Sequence, residues 1–248
     1  MSRSCRLLLA AGLLLLGACA TPPPPEDAEA LAEFRAANDP AEPLNRTLFA
    51  IDRAADRLAL RPLTIAYREV VPEPARQGVR NLLRNLRTPV TLMNDMLQGE
   101  PRRAGDTLGR FLINTTLGLG GLIDVADAHF GVPYRRNGFG TTLALWGVEP
   151  GPYLYLPLLG PYNPRDALGF GVDILANPLA WFGQGSEVMA LDIAWAGMTY
   201  LDQREAVQDQ LDEVERTSLD PYATIRAVSQ QQRAAEIDRR RAERRSAP

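Results

Sequence analysis

The sequence predicts an all-α domain, and three observations favour that fold class. Apolar residues recur three and four positions apart through most of the chain, as they do on one face of a helix. No segment has the clean alternation of a half-buried strand, and no repeat of about 20 to 50 residues is present. With 248 residues, 46% of them hydrophobic, the chain can bury one sizeable core, so we expect a single helical domain with terminal tails.

The N-terminus carries an export signal. In residues 1–18, Arg3 and Arg6 precede an apolar block and then small residues, which is the layout of a secretory signal peptide. The junction Leu-Gly-Ala-Cys at residues 16–19 resembles the bacterial lipobox, in which the cysteine becomes the first mature residue and carries acyl chains. We therefore expect Cys19 to be lipidated, with ordinary signal cleavage as the alternative. Ala20 follows it instead of an Asp, which by resemblance favours the outer membrane.

Composition excludes several classes of function. Removing residues 1–19 takes away two arginines and no acid, so the mature charge is 25 − 30 = −5, which argues against nucleic acid as the main partner. Since Cys5 lies in the signal peptide, the mature chain keeps only Cys19 and can form neither an internal disulfide nor a thiolate metal site. All 27 basic residues are arginine, so a Walker-type lysine and a Schiff-base lysine are excluded.

The segments after the anchor lead into the domain. Four prolines at residues 22–25 predict an extended spacer, so residues 19–38 form a tether. Within it, residues 28–37 predict a short helix that Asn38, Asp39 and Pro40 stop. The domain then covers residues 39–233. The apolar spacing predicts helices over residues 44–60, ended by Pro62, and over residues 63–70.

Three arginines mark one face of the next predicted helix, at residues 75–86. Arg76, Arg80 and Arg84 are four residues apart, and like charges at that spacing repel each other by a few tenths of a kcal/mol per pair. An anionic partner would relieve the repulsion. Lipid phosphates suit planar guanidinium groups, while carboxylates of a neighbouring helix, or solvation, are the alternatives.

The chain is organised around a charge-free run at residues 111–123. As a helix the run would reach only about 20 Å, well short of the ~30 Å hydrocarbon core, so it cannot span a membrane. Gly118, Gly120 and Gly121 interrupt it and predict two short apolar helices that meet at a glycine elbow. One interpretation is a buried core helix, and the other is a segment that lies in the membrane or lines a lipid path. The second interpretation places these side chains against lipid: Phe111, Leu112, Leu119, Leu122 and Ile123.

A second apolar segment follows, in which prolines and glycines rule out a long helix. Residues 151–164 carry no charge, and an exposed apolar loop of this kind invites association. Aromatic side chains favour the bilayer interface, where the ring is apolar and the polar tip is wet. Membrane contact and a loop folded over the core are both consistent with the sequence. In the first case the contacting side chains are Trp146, Tyr153, Tyr155 and Leu156.

Three further helices are predicted towards the C-terminus. Asn163 caps the first, with Pro164 at its first position; the second starts near Ser186, and the third starts at Asp220. Residues 234–248 form an Arg-rich tail that we expect to be solvated. The candidate lipid contacts on the first of these helices are Leu168, Val172 and Leu175.

The residue inventory offers no constellation for catalysis. His129 is the only histidine, and no serine stands in a G-x-S-x-G motif, since Ser186 is displaced from that elbow by one residue. A phospholipase is therefore disfavoured. We expect no enzyme activity, no cofactor and no metal site.

The chain resembles the MlaA (VacJ) family of outer-membrane lipoproteins over residues 38–233. Arg-Phe at residues 110–111, Trp-Gly-Val at residues 146–148 and Asp-Pro-Tyr at residues 220–222 are among the pieces that match in the family's order. The departures are small, and one of them is Arg136-Asn137-Gly138, which stands where an acidic lead-in to Phe139 is usual. The family-motif residues are Asp39, Pro40, Glu42, Asn45, Arg46, Gly118, Gly120, Gly121, Asp124, Gly140, Gly151, Pro152, Arg165 and Asp166.

The resemblance implies both an architecture and a role. It implies a ring-like bundle of amphipathic helices with an apolar Pro/Gly-rich loop, partly embedded in the periplasmic leaflet of the outer membrane beside a porin trimer and anchored at Cys19. Proteins of this kind remove misplaced glycerophospholipids from the outer leaflet through an amphipathic channel and pass them to a periplasmic carrier protein, which keeps the membrane asymmetric. The alternative from another class is a structural lipoprotein that scaffolds a porin or envelope complex.

Overall fold

The computed structural model describes residues 20–177 and 186–246. The predicted signal peptide and the predicted lipidation site at Cys19 lie outside the described residues. The helices of the described part are α1 (Ala28–Ala37), α2 (Glu42–Ala55), α3 (Arg61–Val70), α4 (Glu73–Leu86), α5 (Thr88–Leu97), α6 (Pro101–Thr116), α7 (Val125–Phe130), α8 (Phe139–Leu145), α9 (Pro164–Leu175), α10 (Ser186–Thr217) and α11 (Pro221–Ser246). Two short strands, β1 (Leu154–Leu156) and β2 (Gly160–Tyr162), form a hairpin before α9.

The predicted all-α class is confirmed, and several helices begin or end at the capping residues that the sequence indicated. Asn38 closes α1 in the left-handed region, with φ of 45°. The Asn163 side chain accepts a hydrogen bond from the Asp166 amide, as an N-cap residue does, and Pro164 is the first residue of α9. Asp220 caps α11 in the same way through the Ala223 amide at 3.1 Å.

Pro62 does not end a helix, so that prediction is wrong. A π-helical segment (Asp56–Leu60) joins α2 to α3, and Pro62 lies in the first turn of α3. The wider π turn removes the regular hydrogen-bond ladder in which a proline ring would clash with the preceding turn. The bulge also places Asp56 inside the protein, where Arg204 binds both of its carboxylate oxygens at 2.5 and 2.8 Å.

The sequence did not predict the hairpin, nor the short helices α7 and α8. Leu154 pairs with Tyr162 and Leu156 with Gly160, in strands of three residues that are too short to show an alternation pattern. Side chains of α2 hold it. Asn45 donates to the Tyr153 carbonyl and accepts from the Tyr155 amide, and Asp52 accepts from the Tyr155 hydroxyl at 2.6 Å.

The hydrogen bonds between α2 and the hairpin hold two side chains inside the protein that we expected at the membrane. Tyr153 and Tyr155 are 2% and 4% exposed and form an aromatic cluster with Tyr222. The prediction that these two tyrosines contact the membrane is therefore wrong, because the loop folds over the core there. The tip of the hairpin differs, since Leu158 and Leu159 are exposed.

Polar side chains fill the interior of this domain, and large apolar side chains cover much of its outside. Among the described residues, buried polar and charged side chains outnumber buried hydrophobic ones, and the largest fully buried side chains are Gln98, Asn45, Asn94 and Asn137. A water-soluble domain shows the opposite distribution. No helix within residues 20–177 and 186–246 combines the length and the apolar character needed to cross a bilayer.

Two glycines let α8 and α9 pack backbone to backbone. A Cβ atom on Gly169 would lie within 2.5 Å of Gly140 Cα and 2.9 Å of Phe139 C. A Cβ on Gly140 would lie 2.5 Å from Asp166 Oδ1. Only glycine permits this approach, which resembles the small-residue contacts of helices in membranes.

The predicted solvated tail begins inside a helix. Helix α11 runs without a break to Ser246, and Arg240 within it is 6% exposed. The Arg240 guanidinium donates to Gln98 Oε1 at 2.5 Å and to Glu100 Oε2 at 3.3 Å, which fixes the helix against the end of α5. The prediction of a fully solvated tail is wrong at this position, whereas Arg239, Arg244 and Arg245 are exposed.

We expect Gly169→Ala to lower the free energy of unfolding by about 1–3 kcal/mol, because the added methyl group collides with the α8 backbone. Gly171→Ala is the matched control, since it lies in the same helix and its Cβ would meet nothing within 4 Å. Thermal unfolding of the purified protein in detergent measures both. Equal melting temperatures for the two variants would contradict the close packing.

Candidate functional site

A cavity of about 760 Å³ is the candidate functional site, and we call it the amphipathic cavity. Its walls come from the α4–α5 junction, the segment before α8, the loop after α8, the β-hairpin, α9 and α11. The size is within the range of ligand pockets in proteins. Its lining residues include both charged and apolar side chains.

Ion pairs neutralise most of the charged wall. Asp166 is the hub, because Arg233 binds both of its oxygens at 2.7 and 2.9 Å and Arg165 approaches them at 3.2 and 3.3 Å. Arg87 pairs with Asp173 at 3.3 Å. Arg233 also pairs with Glu236 at 2.8 Å. These pairs hold α9 against α11 and against the α4–α5 junction at the edge of the cavity.

The two buried aspartates of the wall differ in their electrostatics. Burial alone would raise the pKa of Asp166, but hydrogen bonds and charges from Arg233 and Arg165 lower this pKa to about 2. Burial raises the pKa of Asp173 above its ordinary value, although the Phe139 amide, Asn94 and Arg87 oppose the rise. Asp166 is thus held firmly as an anion.

A buried amide network supports the floor of the cavity. Asn137 donates to Asp95 Oδ1 at 2.7 Å and to Gln98 Oε1 at 3.0 Å, and Gln98 donates back to Asn137 and to Thr142. Asn94 accepts from Thr142 at 2.7 Å and donates to Asp173 at 3.0 Å. Each buried polar group in this network has a partner, so the network fixes where α8 begins.

The other part of the wall is apolar and aromatic. The same cavity is lined by Val148, Leu159, Tyr162 and Phe170. The rings of Tyr162 and Phe170 pack edge to face, with their centroids 6.0 Å apart. A wall with charged and apolar surfaces side by side suits a molecule that has a polar head and hydrocarbon chains.

The arginine stripe of α4 does not face free solvent. Arg80 pairs with Asp202 at 3.5 Å and with Glu205 at 3.7 Å, and Arg76 pairs with Glu73 and lies 3.9 Å from Glu205. Carboxylates of a neighbouring helix, α10, are thus the partners in this structure. Of the alternatives that the sequence left open for Arg76 and Arg80, the structure therefore shows carboxylates of a neighbouring helix and not lipid phosphates.

Arg84 has a different partner, the ring of Tyr134. The guanidinium carbon lies 5.1 Å from the ring centroid, and Arg110 lies 6.0 Å from the same ring. Arg84, the third arginine of the stripe, therefore makes a cation–π contact with Tyr134. These contacts give no support to the prediction that Arg84 binds a headgroup.

The predicted lipid contacts on the outer surface fall into two groups. Phe111, Leu156 and Val172 are half-buried. The exposed ones come from α6, the glycine elbow, the end of α8 and one face of α9: Leu112, Leu119, Leu122, Ile123, Trp146, Leu168 and Leu175. They belong to a larger set of exposed apolar side chains that starts on α2 and α3, with Ile51, Leu58, Leu63 and Val70.

The glycine elbow is confirmed, and neighbouring polar side chains fix it. Gly120 and Gly121 have φ of 73° and 106°, and a Cβ on Gly121 would lie 2.6 Å from Asn85 Cβ. Arg110 binds both oxygens of Asp124 at 2.7 and 2.8 Å just beyond the elbow. A Cβ on Gly118 would also lie 2.5 Å from Asn114 O. The second apolar helix was not found, because a 3₁₀ turn (Leu119–Gly121) takes its place.

Family-motif residues at the two ends of the domain meet each other. Asp39 accepts from Asn45 at 2.7 Å, from Arg226 at 2.9 Å and from the Tyr222 hydroxyl. Arg46 binds both Asp220 oxygens and Glu42, which ties α2 to the start of α11. These motif residues stabilise the fold and do not line the cavity. Three further motif residues lie in the same region. The Pro40 carbonyl accepts a hydrogen bond from the Ala20 amide, Gly151 has φ of 74°, and Pro152 is half-buried.

Sequence reasoning found only part of the cavity wall. It named Gly140, Gly151, Arg165 and Asp166, which line the cavity, but it assigned them no role beyond the family motif. It missed Arg87, Asp173 and Arg233 as wall residues. Asp173 is the only charged residue of α9 after Asp166, and this isolated charge was the one available signal.

Comparison with known proteins identifies relatives of this domain. The sequence model of the MlaA lipoprotein family matches residues 37–236. An uncharacterized protein of Rickettsia felis is 38% identical over 200 residues, which are 80% of this chain and 78% of that protein. The intermembrane phospholipid transport system lipoprotein MlaA of Escherichia coli K12 is 39% identical over 147 residues, which are 58% of this chain and 59% of that protein. A solved structure described as the structural basis for maintenance of bacterial outer membrane lipid asymmetry is 35% identical, with a TM-score of 0.68, and the match covers 78% of this chain and 96% of that one.

We expect the stability contributed by Asp166 to depend on pH. The pKa of Asp166 is lowered from 3.8 to about 2, so its contribution of about 2 kcal/mol is complete above pH 3.8 and is lost as the pH falls through about 2. The gap in unfolding free energy between the wild type and Asp166→Asn should therefore shrink by about that amount between pH 5 and pH 2. Denaturant unfolding measures the gap, and Asp127→Asn, on the exposed face of α7, is the control. A gap that stays constant with pH would contradict the assignment.

Proposed function

The chain belongs to the MlaA lipoprotein family, and from that premise we propose that it transports phospholipids between membranes. In this proposal the protein is an outer-membrane lipoprotein, anchored at Cys19 in the periplasmic leaflet. It removes misplaced glycerophospholipids from the outer leaflet and passes them through the amphipathic cavity to a periplasmic carrier protein. The transport keeps the membrane asymmetric and needs no enzymatic step.

The observation that carries the proposal is the reversed distribution of polar and apolar side chains. Exposed apolar side chains are favourable when hydrocarbon surrounds them, while a polar interior is stable when its groups pair with each other. Both conditions hold in residues 20–177, where exposed leucines surround buried asparagines, aspartates and threonines. This supports a domain that lies within one leaflet of a membrane.

The positions of these side chains also support a sidedness. Most of the exposed large apolar side chains lie in the segment from α2 to α9, whereas the second half of α10 and the C-terminal part of α11, from Asp238 on, carry exposed charged residues. We propose that α2 to α9 contact the membrane and that α11 faces the periplasm. The carrier protein would approach from that side, and part of the apolar surface would contact a porin trimer.

The amphipathic cavity supports the route of transport. It reaches from α11, on the proposed periplasmic side, to Leu159 and Val148 next to the exposed apolar residues of the hairpin and of the loop after α8. A phospholipid could therefore keep its headgroup against the charged wall while its chains follow the apolar wall. The alternative function is a structural lipoprotein that scaffolds a porin or envelope complex; it would need the apolar surface but not the cavity.

We expect Leu119→Asp together with Leu122→Asp to increase the amount of phospholipid in the outer leaflet of cells. Each carboxylate would cost roughly 3 kcal/mol against hydrocarbon, so the elbow could not stay in the leaflet. The matched control is Leu219→Asp, because Leu219 is fully exposed in the connection between α10 and α11, away from the proposed membrane surface. Chemical labelling of surface phospholipid in cells that express each variant measures the effect. Normal asymmetry in the elbow variant, at wild-type protein levels, would refute the membrane assignment.

We expect Cys19→Ala to abolish complementation of a strain that lacks this protein, because the anchor holds the domain at its membrane. The readout is again surface phospholipid, with membrane fractionation to show where the variant resides. Co-purification of a porin with the wild type while surface phospholipid stays normal in the deletion strain would favour the scaffold function instead.

A further inference from the structure

Two opposite charges in the wall of the amphipathic cavity have no ion pair of their own. The cavity is lined by as many arginines as carboxylates: Arg87, Arg136, Arg165, Arg233 and Arg241 face Glu149, Asp166, Asp173, Glu236 and Asp238. Salt bridges join eight of these to one another, in the groups around Asp166, between Arg87 and Asp173, and between Arg241 and Asp238. Within the part of the chain that the structure describes, Arg136 and Glu149 make no hydrogen bond or salt bridge through their side chains.

The backbone on either side of Glu149 is fixed. The Arg165 guanidinium donates to the Val148 carbonyl at 3.3 Å, and the Val148 amide donates to the Leu143 carbonyl at 2.9 Å. The Arg165 amide lies 3.5 Å from the Pro150 carbonyl on the other side. Glu149 is exposed, and hydrogen bonds on both sides of it fix the backbone of the loop that carries it.

Arg136 is presented in a similar way. Its neighbour Asn137 is 2% exposed and is bound by Asp95 and Gln98 in the amide network. Arg136 and the aromatic residues Tyr162 and Phe170 line the same cavity, and the charges of Arg136 and Arg87 oppose the rise that burial causes in the pKa of Tyr162. The guanidinium itself is exposed.

The two charges stand at opposite ends of α8. Arg136 precedes this helix and Glu149 follows it, and a helix of seven residues is about 10 Å long. A cation and an anion thus line one cavity, and no hydrogen bond or salt bridge joins them to each other in the described part of the chain. A ligand with both an anionic and a cationic group could bridge them, whereas a ligand with only an anionic group would pair with Arg136 and leave Glu149 to repel it.

We propose that Arg136 and Glu149 select zwitterionic phospholipid headgroups, with Arg136 on the phosphodiester and Glu149 on the ammonium group. This inference rests on the proposed function, since it assigns a headgroup class to the same cavity. A guanidinium suits a phosphodiester oxygen, and a carboxylate suits a primary ammonium. Anionic headgroups such as phosphoglycerol gain only the first contact, so the cavity discriminates by charge.

The experiment measures lipid binding by the full-length lipoprotein in detergent. Isothermal titration calorimetry with dihexanoyl-phosphatidylethanolamine and dihexanoyl-phosphatidylglycerol gives the affinity for a zwitterionic and an anionic headgroup. We expect the wild type to favour phosphatidylethanolamine. Glu149→Gln should weaken that binding about two- to five-fold, the effect of one exposed ion pair, and should leave phosphatidylglycerol binding unchanged or tighter. Arg136→Gln should weaken binding of both lipids.

Two matched controls come from the same chain. Arg135→Gln removes the neighbouring arginine, which pairs with Asp106 at 3.1 Å outside the cavity wall, and Glu33→Gln removes an exposed carboxylate on α1. Neither should change the ratio of the two affinities. Glycerophosphoethanolamine, which has the headgroup without chains, separates a lipid ligand from a water-soluble phosphodiester, and equally tight binding of it would overturn a lipid headgroup as the ligand.

The possible results separate this inference from the function on which it rests. Equal wild-type affinities for the two lipids, or a Glu149→Gln variant that weakens both equally, would overturn headgroup selection and leave phospholipid transport standing. Binding of neither lipid by the wild type would count against both proposals.

Discussion

Hydrogen bonds between buried side chains hold this domain together, because its large apolar side chains face outward. In water the burial of hydrocarbon stabilises a fold, but a domain surrounded by lipid gains little from that effect. The helices here instead meet through asparagine, threonine and aspartate. Asn94, Gln98 and Asn137 connect α5 to α8 through amide contacts of 2.7 to 3.0 Å, and Asn45 binds the hairpin to α2. An unpaired group at any of these positions would be costly, so the network fixes a single arrangement.

The cavity is a consequence of the same constraint. Since the interior is polar, the walls of the cavity can carry charged side chains. Salt bridges within the protein, such as that between Asp166 and Arg233, neutralise most of these charges. Glycine completes the geometry, because the contact between Gly140 and Gly169 brings α8 and α9 close enough for Asp166 to sit over the α8 backbone. The large apolar residues that the polar interior displaces lie on the outside of the domain, where the proposed function places lipid.

The start and end of the domain are joined in a similar manner. Asp39 and Arg46 at the beginning bind Tyr222, Arg226 and Asp220 at the end, so α2, the hairpin and α11 form one unit. The Ala20 amide donates to the Pro40 carbonyl at 2.6 Å. Ala20 thus lies beside the start of α2, and the chain that contains the four prolines returns to the domain at both of its ends.

The sequence by itself determined the helical class, the helix starts at Asn163 and Asp220, the glycine elbow, and the inability of residues 111–123 to span a membrane. These depend on local rules of spacing, capping and backbone conformation, which a single chain segment carries in full. Only the tertiary structure decided that Tyr153 and Tyr155 are buried, that Arg76 and Arg80 pair with α10, and that Arg136 and Glu149 share a cavity wall with the pairs of Asp166 and Asp173. The physical reason is that the local sequence around a charged residue is the same whether its side chain is exposed or paired. The same holds for a tyrosine, whether it would contact lipid or binds an aspartate. Their partners lie far away in sequence, and only folding brings them into contact.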